Sequence, residues 1–223
     1  MLPINTNQMS NFNSIPGIRK VYERQSLLEE DIDVNPIKQF ETWWQQAIES
    51  EIEEPNAMTL ATCAASGKPS ARIVLLKAIH ENGFVFFTNY LSRKGKEIEE
   101  NPFVSLLFFW KELERQIRIE GTIKKTNTGE SDDYFYDRPI ESRIGAWSSP
   151  QSQVIENREF LQKNSLKYQD QFGTHVPRPV FWGGYLVTPY RVEFWQGRPG
   201  RLHDRLQYVL TENNLWKIER LAP

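Results

Sequence analysis

Cysteine is almost missing from this chain. Cys63 is the single one in 223 residues, so no intrachain disulfide can form, which suits a reducing compartment. With no nearby partner to activate its thiol, Cys63 reads as a packing residue rather than a nucleophile. Histidine is also scarce: His80, His175 and His203 are the full set, and no zinc-like Cys/His spacing joins them, so no metal is expected. Neither sign of charge prevails. Lys and Arg number 27 against 29 Asp and Glu, a formal charge of -2, so nothing global favours nucleic acid and any basic site must be local. No apolar run approaches the ~20 residues that span a bilayer. The opening MLPINTNQMSNFNSIPG lacks the n-region and h-region of a leader, and the expectation is a soluble cytoplasmic chain. GxGxxG, P-loop and GxSxG motifs are absent, as are repeats and low-complexity linkers.

What is present is a core-forming composition, 39% apolar and 13% aromatic, in a β-rich pattern. Residues 1–17 read as a disordered tail and 18–223 as one domain, with 18–35 a mobile arm or lid whose first part, Ile18–Leu28, could be a short helix. After Pro36, Ile37, Phe40, Trp44, Ala47 and Ile48 recur at helical spacing. Strands follow in MTLATCAA and SARIVLLKAI around a Ser66–Pro69 turn. Asn82-Gly83 predicts a type I′ hairpin turn leading into Phe84–Thr88. Ser92–Glu100 is a short charged helix, and Phe103–Trp110 is the most apolar strand and should be central. In Glu114–Thr122, Ile117 and Ile119 alternate with Gln116, Arg118 and Glu120, so one face is apolar and the other polar.

Ser131–Asp137 reads as a helix halted by Pro139. Ser149-Pro150 supplies an N-cap and N1 proline for a second helix, to about Phe172, with Gln151 and Ser152 in its anion-favouring first turn. Tyr185–Thr188, Arg191–Trp195, Arg201–Leu210 and Trp216–Leu221 read as strands. Many short antiparallel strands suggest a mainly β fold, a barrel with flanking helices.

Chemistry has three candidate locations. Arg72 and Lys77 are separated by about 17 Å of strand rise and face opposite ways, which points to two neighbouring anionic sites, one per cation. Arg201, His203 and Arg205 in RLHDR would share one strand face, electropositive enough to lower the His203 pKa. Tyr134, Arg138 and Ser142 combine a phenol, a guanidinium and a hydroxyl, groups that hold phosphate, although Pro139 breaks their helical register.

RIVLLK, FFTNYLSRKG, NPFVSLLFFW, LERQIRIEG, SRIGAWSSPQS, FWGGY, EFWQG, RLHDR and IERLAP occur in this order. Together they resemble the pyridoxine/pyridoxamine 5′-phosphate oxidase family over about residues 36–223. The resemblance implies an FMN-binding split barrel that works as a homodimer, with FMN at the interface. It implies oxidation of pyridoxine 5′-phosphate and pyridoxamine 5′-phosphate to pyridoxal 5′-phosphate, with O2 as acceptor and H2O2 as product. FMN would be contacted by Arg72, Ile73, Val74, Leu75, Leu76, Lys77, Phe87, Thr88, Arg93, Lys94, Gln116, Gln151, Ser152, Trp195 and Arg205. Arg72, Arg93 and Lys94 would meet its phosphate. The substrate would be held by Lys77, Tyr134, Arg138 and Ser142 at its phosphate and by Arg201, Leu202 and His203 over its ring. Arg201 and His203 would be catalytic, and Arg19, Lys20, Val21 and Tyr22 would fold over the site. Phe87 departs from a common Tyr of the family. Competing readings are a flavin reductase on the same barrel and a non-catalytic flavin or pyridoxal-phosphate carrier. No metal, nucleic acid or membrane partner is implied.

Overall fold

The computed structural model describes residues 21–23 and 25–223. The expected tail, and Arg19 and Lys20 of the arm, lie outside the described residues. One nine-stranded antiparallel sheet runs through the chain. In chain order its strands are β1 (Ala57–Cys63), β2 (Pro69–Leu75), β3 (Ala78–His80), β4 (Gly83–Asn89), β5 (Phe103–Trp110), β6 (Arg115–Lys125), β7 (Trp182–Gln196), β8 (Asp204–Leu210) and β9 (Trp216–Arg220). The spatial order is β2-β1-β5-β6-β7-β4-β3, with β8 added to β7 and β9 to β8. The chain passes directly from β2 to β3 through Leu76 and Lys77, so the two ends of that order are consecutive in sequence. The Lys77 N–H donates to the Val85 carbonyl at 2.8 Å, and the sheet curls round on itself as a split barrel.

Alternation decides what fills the barrel. Met58, Leu60, Phe84, Phe86, Leu106, Phe108, Ile117, Ile119, Val192 and Phe194 are all at most 1% exposed. Helix α1 (Pro36–Glu49) plugs this core with Phe40, whose ring lies 4.8 Å from Phe84 and 5.2 Å from Phe108. Burying each such ring contributes roughly 1.5–3 kcal/mol. Asn35 caps the helix by accepting from the Ile37 N–H, and Pro36 takes N1, as their residue types favour.

Strand β7 explains how a proline sits inside a sheet. Its first part, Trp182–Val187, pairs with β4, and its last part, Arg191–Gln196, pairs with β8. Pro189 lies between, paired with neither β4 nor β8, and beside it Tyr190 is the extra residue of a bulge opposite Glu120 and Gly121 of β6. The two strands expected around Pro189 are therefore one long strand that changes partner.

The remaining helices are α2 (Arg93–Glu100), α3 (Thr128–Asp137), α4 (Ile140–Ser148) and α5 (Arg158–Phe172). Three expectations need correction here. The α5 helix starts at Arg158 with Asn157 as N-cap; Ser149 instead ends α4, so Gln151 and Ser152 lie in a turn, and no helix N-terminus stands behind them. The β3–β4 turn has Glu81 and Asn82 at its centre, with His80 opposite Gly83, and neither has a positive φ, so it is not type I′. Gly83 is required for another reason: a Cβ there would collide with the Val187 carbonyl. Finally, β8 begins at Asp204, and Arg201 closes a 3-10 turn, Pro199–Arg201, at φ 64°. Arg201, His203 and Arg205 thus share no strand face. Among the described residues no helix is long and apolar enough to cross a membrane.

Candidate functional site

A cleft of about 820 Å³ opens along β2, which pairs on one side only, with β1. Because the free edge of the strand faces the cleft, Arg72, Ile73, Val74 and Leu75 all line it, where alternate residues alone would line a sheet face. Lys77, Phe87, Thr88, Arg93, Lys94, Gln151 and Ser152 line it too, and so do Tyr134, Arg138 and Ser142. Both expected anion sites therefore open into one cavity.

At one end, α2 presents cations at its own N-terminus, where the helix dipole disfavours them. Ser92 caps α2 by accepting from the Gly95 N–H, which makes Arg93 and Lys94 its first two residues. Gly95 allows this tight entry, since a Cβ would strike the Tyr90 carbonyl. Lys94 is 8% exposed. Its Nζ finds only neutral oxygens at long range, Thr88 Oγ1 at 3.3 Å, Gln151 Oε1 at 3.3 Å and Ser92 Oγ at 3.4 Å. Burial, and then the neighbouring Arg72, push its pKa down to about 8 against the pull of Glu97. A helix N-terminus, two arginines and an under-paired lysine make a strong anion site.

At the other end, Phe87 stacks on Tyr134 at 4.0 Å and on Trp182 at 5.7 Å. The Arg138 guanidinium lies over the Trp182 ring at 4.6 Å, and its Nη1 is buried without a hydrogen-bond partner. Burial also lowers the Arg138 pKa. An orphaned guanidinium donor of this kind fits an anionic oxygen. Arg138 itself is the extended break between α3 and α4, so Pro139 places this side chain in the cleft rather than spoiling the cluster.

Other expected residues lie elsewhere in the single chain. Leu76 is 5% exposed in the core, so it lines no cleft. Gln116, Trp195 and Arg205 stand opposite one another across β6, β7 and β8, on the outer face of the sheet. His203 packs against Trp195 at 4.6 Å, and Tyr22 packs edge-on against both, at 5.8 Å from Trp195 and 5.9 Å from His203. The Arg198 N–H donates to His203 Nδ1 at 3.0 Å, which leaves Nε2 as the nitrogen free to meet a ligand. Burial and then the Arg201 charge lower the His203 pKa, in the expected direction, with burial rather than the arginine as the larger cause. Leu202 is exposed, as are Val21 and Arg201. Ser152 and Arg201, both expected at the site, are among the six described non-glycine residues with positive φ, a conformation that concentrates at functional sites.

The sequence reading missed Trp182, Ser70 and Glu97. The first two line the cleft. Glu97 supports it from below, and its spacing of four from Arg93 was the available signal. Among the described residues no cluster of three or more His, Cys, Asp or Glu is placed to hold a metal.

Comparison with known proteins points to one family. Residues 44–172 match the family model described as pyridoxamine 5′-phosphate oxidase, and residues 182–223 match the pyridoxine 5′-phosphate oxidase C-terminal dimerisation region. A protein of Paraburkholderia phytofirmans named pyridoxine/pyridoxamine 5′-phosphate oxidase is 56% identical over 211 residues, 94% of this chain and 99% of its own. One of Bordetella pertussis with the same name is 53% identical over 94% of this chain and all of its own. Among solved structures, PhzG from Burkholderia lata in complex with tetrahydrophenazine-1-carboxylic acid superposes with a TM-score of 0.84 at 31% identity, covering 89% of this chain and 98% of that one. A pyridoxamine 5′-phosphate oxidase-related, FMN-binding protein from Nostoc punctiforme shares the fold, with a TM-score of 0.67 at 14% identity over 82% of this chain and 97% of that one.

Proposed function

The chain belongs to the pyridoxine/pyridoxamine 5′-phosphate oxidase family, and on that premise we propose that it oxidises pyridoxine 5′-phosphate and pyridoxamine 5′-phosphate to pyridoxal 5′-phosphate, with FMN as cofactor, O2 as final acceptor and H2O2 as product. The observation that carries this reading is the pair of cationic ends in one cleft, joined by an aromatic wall. A cofactor phosphate suits Arg72, Arg93 and Lys94. A substrate phosphate suits Lys77, Tyr134, Arg138 and Ser142. Between them, the free edge of β2 offers backbone donors and acceptors to a flat heterocycle. When bound, FMN supplies the two-electron acceptance that the oxidation at C4′ requires.

The chain's own part is orientation and charge. Two phosphate anchors at opposite ends bring two bound rings together in a near-attack arrangement. His203, with Nδ1 occupied by the Arg198 N–H, presents Nε2 to the substrate ring, and Arg201 adds a positive charge beside it. Both belong to the outer-face cluster, as do Gln116, Trp195 and Arg205. That face also carries exposed apolar side chains, Ile73 at 63% and Phe109 at 56%, with Leu107 between Thr59 and Arg118 in one row. A second copy of the chain covering this face would bury them and set the cluster of one subunit against the cleft of the other. The homodimer is thus what completes the site, and the match of residues 182–223 to a dimerisation region supports it. A cytoplasmic setting suits the single thiol.

The test is an anaerobic addition of pyridoxine 5′-phosphate to the purified protein, followed by visible absorbance. A yellow protein that bleaches and recovers its colour in air supports the proposal. A yellow protein that stays yellow sinks the oxidase reading in favour of a reductase or a flavin store. A protein that stays colourless after FMN is added back sinks the flavin itself.

A further inference from the structure

Behind the Arg72–Arg93–Lys94 cluster stands a carboxylate that none of the roles above employs. Glu97 is 6% exposed, one helical turn beyond Arg93 on α2. Its Oε2 accepts from Thr62 Oγ1 at 2.5 Å, Ser70 Oγ at 2.6 Å and Arg72 Nη2 at 3.1 Å. Its Oε1 accepts from Arg93 Nε at 2.8 Å. Burial works against its ionisation, but the bonds from Ser70, Thr62, Arg93 and Arg72 prevail and hold its pKa at about 2. The carboxylate is therefore a permanent charge, satisfied on every side.

The two arginines it holds are used differently. Arg72 commits both Nη groups to the protein, so toward an anion it offers its charge rather than an Nη fork: Nη1 donates to the Leu60 carbonyl at 3.1 Å and to Thr62 Oγ1 at 2.5 Å, and Nη2 to Ser70 Oγ and Glu97. Arg93 commits only Nε, and its side chain is 64% exposed. With Nε taken by the carboxylate, the end-on pair of Nη N–H groups remains as a fork for two oxygens of one anion. Left without Glu97, two arginines and a lysine this close would repel one another and swing apart. With it, and with Lys94 protonated, three positive charges and one negative leave a net charge near that of a phosphate monoester dianion in opposite sign.

We propose that Glu97 is a positioning residue for the cofactor phosphate, acting through Arg72 and Arg93 and touching no ligand itself. The proposal rests on the reading that FMN places its phosphate at this end of the cleft.

The experiment compares FMN with riboflavin, which has the same ring system and no phosphate. Dissociation constants for both are measured by flavin fluorescence on the flavin-stripped full chain, for the wild type and for Glu97→Gln. This change keeps the side chain's size while setting an amide NH2 against the surrounding donors. The expected result is a drop of about tenfold or more in the preference for FMN over riboflavin, on the order of one lost charge-assisted hydrogen bond, with riboflavin affinity changed less than about twofold. An unchanged preference overturns the proposal, and so does an equal weakening of both flavins, which marks Glu97 as a fold element only. Where E97Q fails to fold, Ser70→Ala removes one donor to the same carboxylate without changing charge. It should lower the same preference by a smaller factor, and no loss there overturns the proposal as well. A wild-type protein that binds FMN no better than riboflavin defeats the underlying phosphate assignment before any variant is made.

Discussion

Lys94 gives the cleft a pH dependence that can be worked out before it is measured. The amine is buried, faces Arg72 from β2 and Arg93 and Glu97 from its own helix, and has a pKa near 8 in the free protein. A phosphate at Arg72 and Arg93 supplies the missing counter-charge and raises that pKa. The sign follows from the proposed phosphate placement: FMN would bind the protonated amine, so affinity should be fully present below pH 8 and fall above it, by up to tenfold per unit, until the pKa of the complex is reached. If the complex restores the ordinary value of 10.5, the ceiling is about 2.5 decades, or roughly 3 kcal/mol at ~1.36 kcal/mol per unit. Solvent reaching the open cleft screens part of this, leaving about one decade between pH 8 and pH 10. The FMN phosphate loses its second proton near pH ~6 and so contributes no slope in this range. The assay is FMN fluorescence quenching from pH 6 to 10, with riboflavin as the control that should stay flat. In Lys94→Met the FMN curve should flatten and its neutral-pH affinity should fall by roughly 1.5–3 kcal/mol. A wild-type curve flat to pH 10, or a slope that survives in the Met variant, refutes the assignment.

Two further outcomes test the division of the site between the cleft and the outer face. Replacing both Arg201 and His203 by Ala should cost turnover by orders of magnitude while the purified protein keeps its FMN, read as the flavin-to-protein absorbance ratio; normal turnover would remove both from the chemistry. Phe109→Arg puts an unpaired charge on the exposed apolar face beside Gln116, and should lower the sedimenting mass and the FMN content together. A variant that becomes monomeric yet holds FMN as tightly as before would show that one chain makes the site alone.

The barrel was legible where one periodicity governed a whole segment. Strand β5 runs over Phe103–Trp110 as the apolar run indicates, and the alternation in β6 places Ile117 and Ile119 inside with Gln116 and Arg118 outside. Of the cleft residues, Arg72, Lys77, Tyr134, Arg138 and Ser142 were legible through their chemistry, and Ile73, Val74, Leu75, Phe87, Thr88, Arg93, Lys94, Gln151 and Ser152 only through the family resemblance. What escaped was decided by conformations that residue type leaves open. Ser-Pro starts a helix as readily as it follows one, because proline both suits N1 and forbids continuation; here α4 ends at Ser148 and the chain turns through Ser152 at φ 71° before α5 begins. Reading RLHDR as a strand assumes regular backbone, which the positive φ of Arg201 denies.

These last two misreadings lie where the chain does something a strand or helix cannot. Had Arg201, His203 and Arg205 shared a strand face, Arg205 would stand in line with His203. Instead Arg205 is drawn to Glu193, 2.7 Å from its Nε, while the turn frees His203 to pack against Trp195. Glu193 is 2% exposed and also holds Arg118, so Arg205 is fixed from behind much as Arg93 is fixed by Glu97. Each cluster therefore sets an arginine with a buried carboxylate, and neither carboxylate can be assigned from sequence alone, since its value depends on two guanidiniums brought from different strands or helices. A charged run such as RKGKEIEE reads as a solvated helix until the fold shows which of its acids is buried.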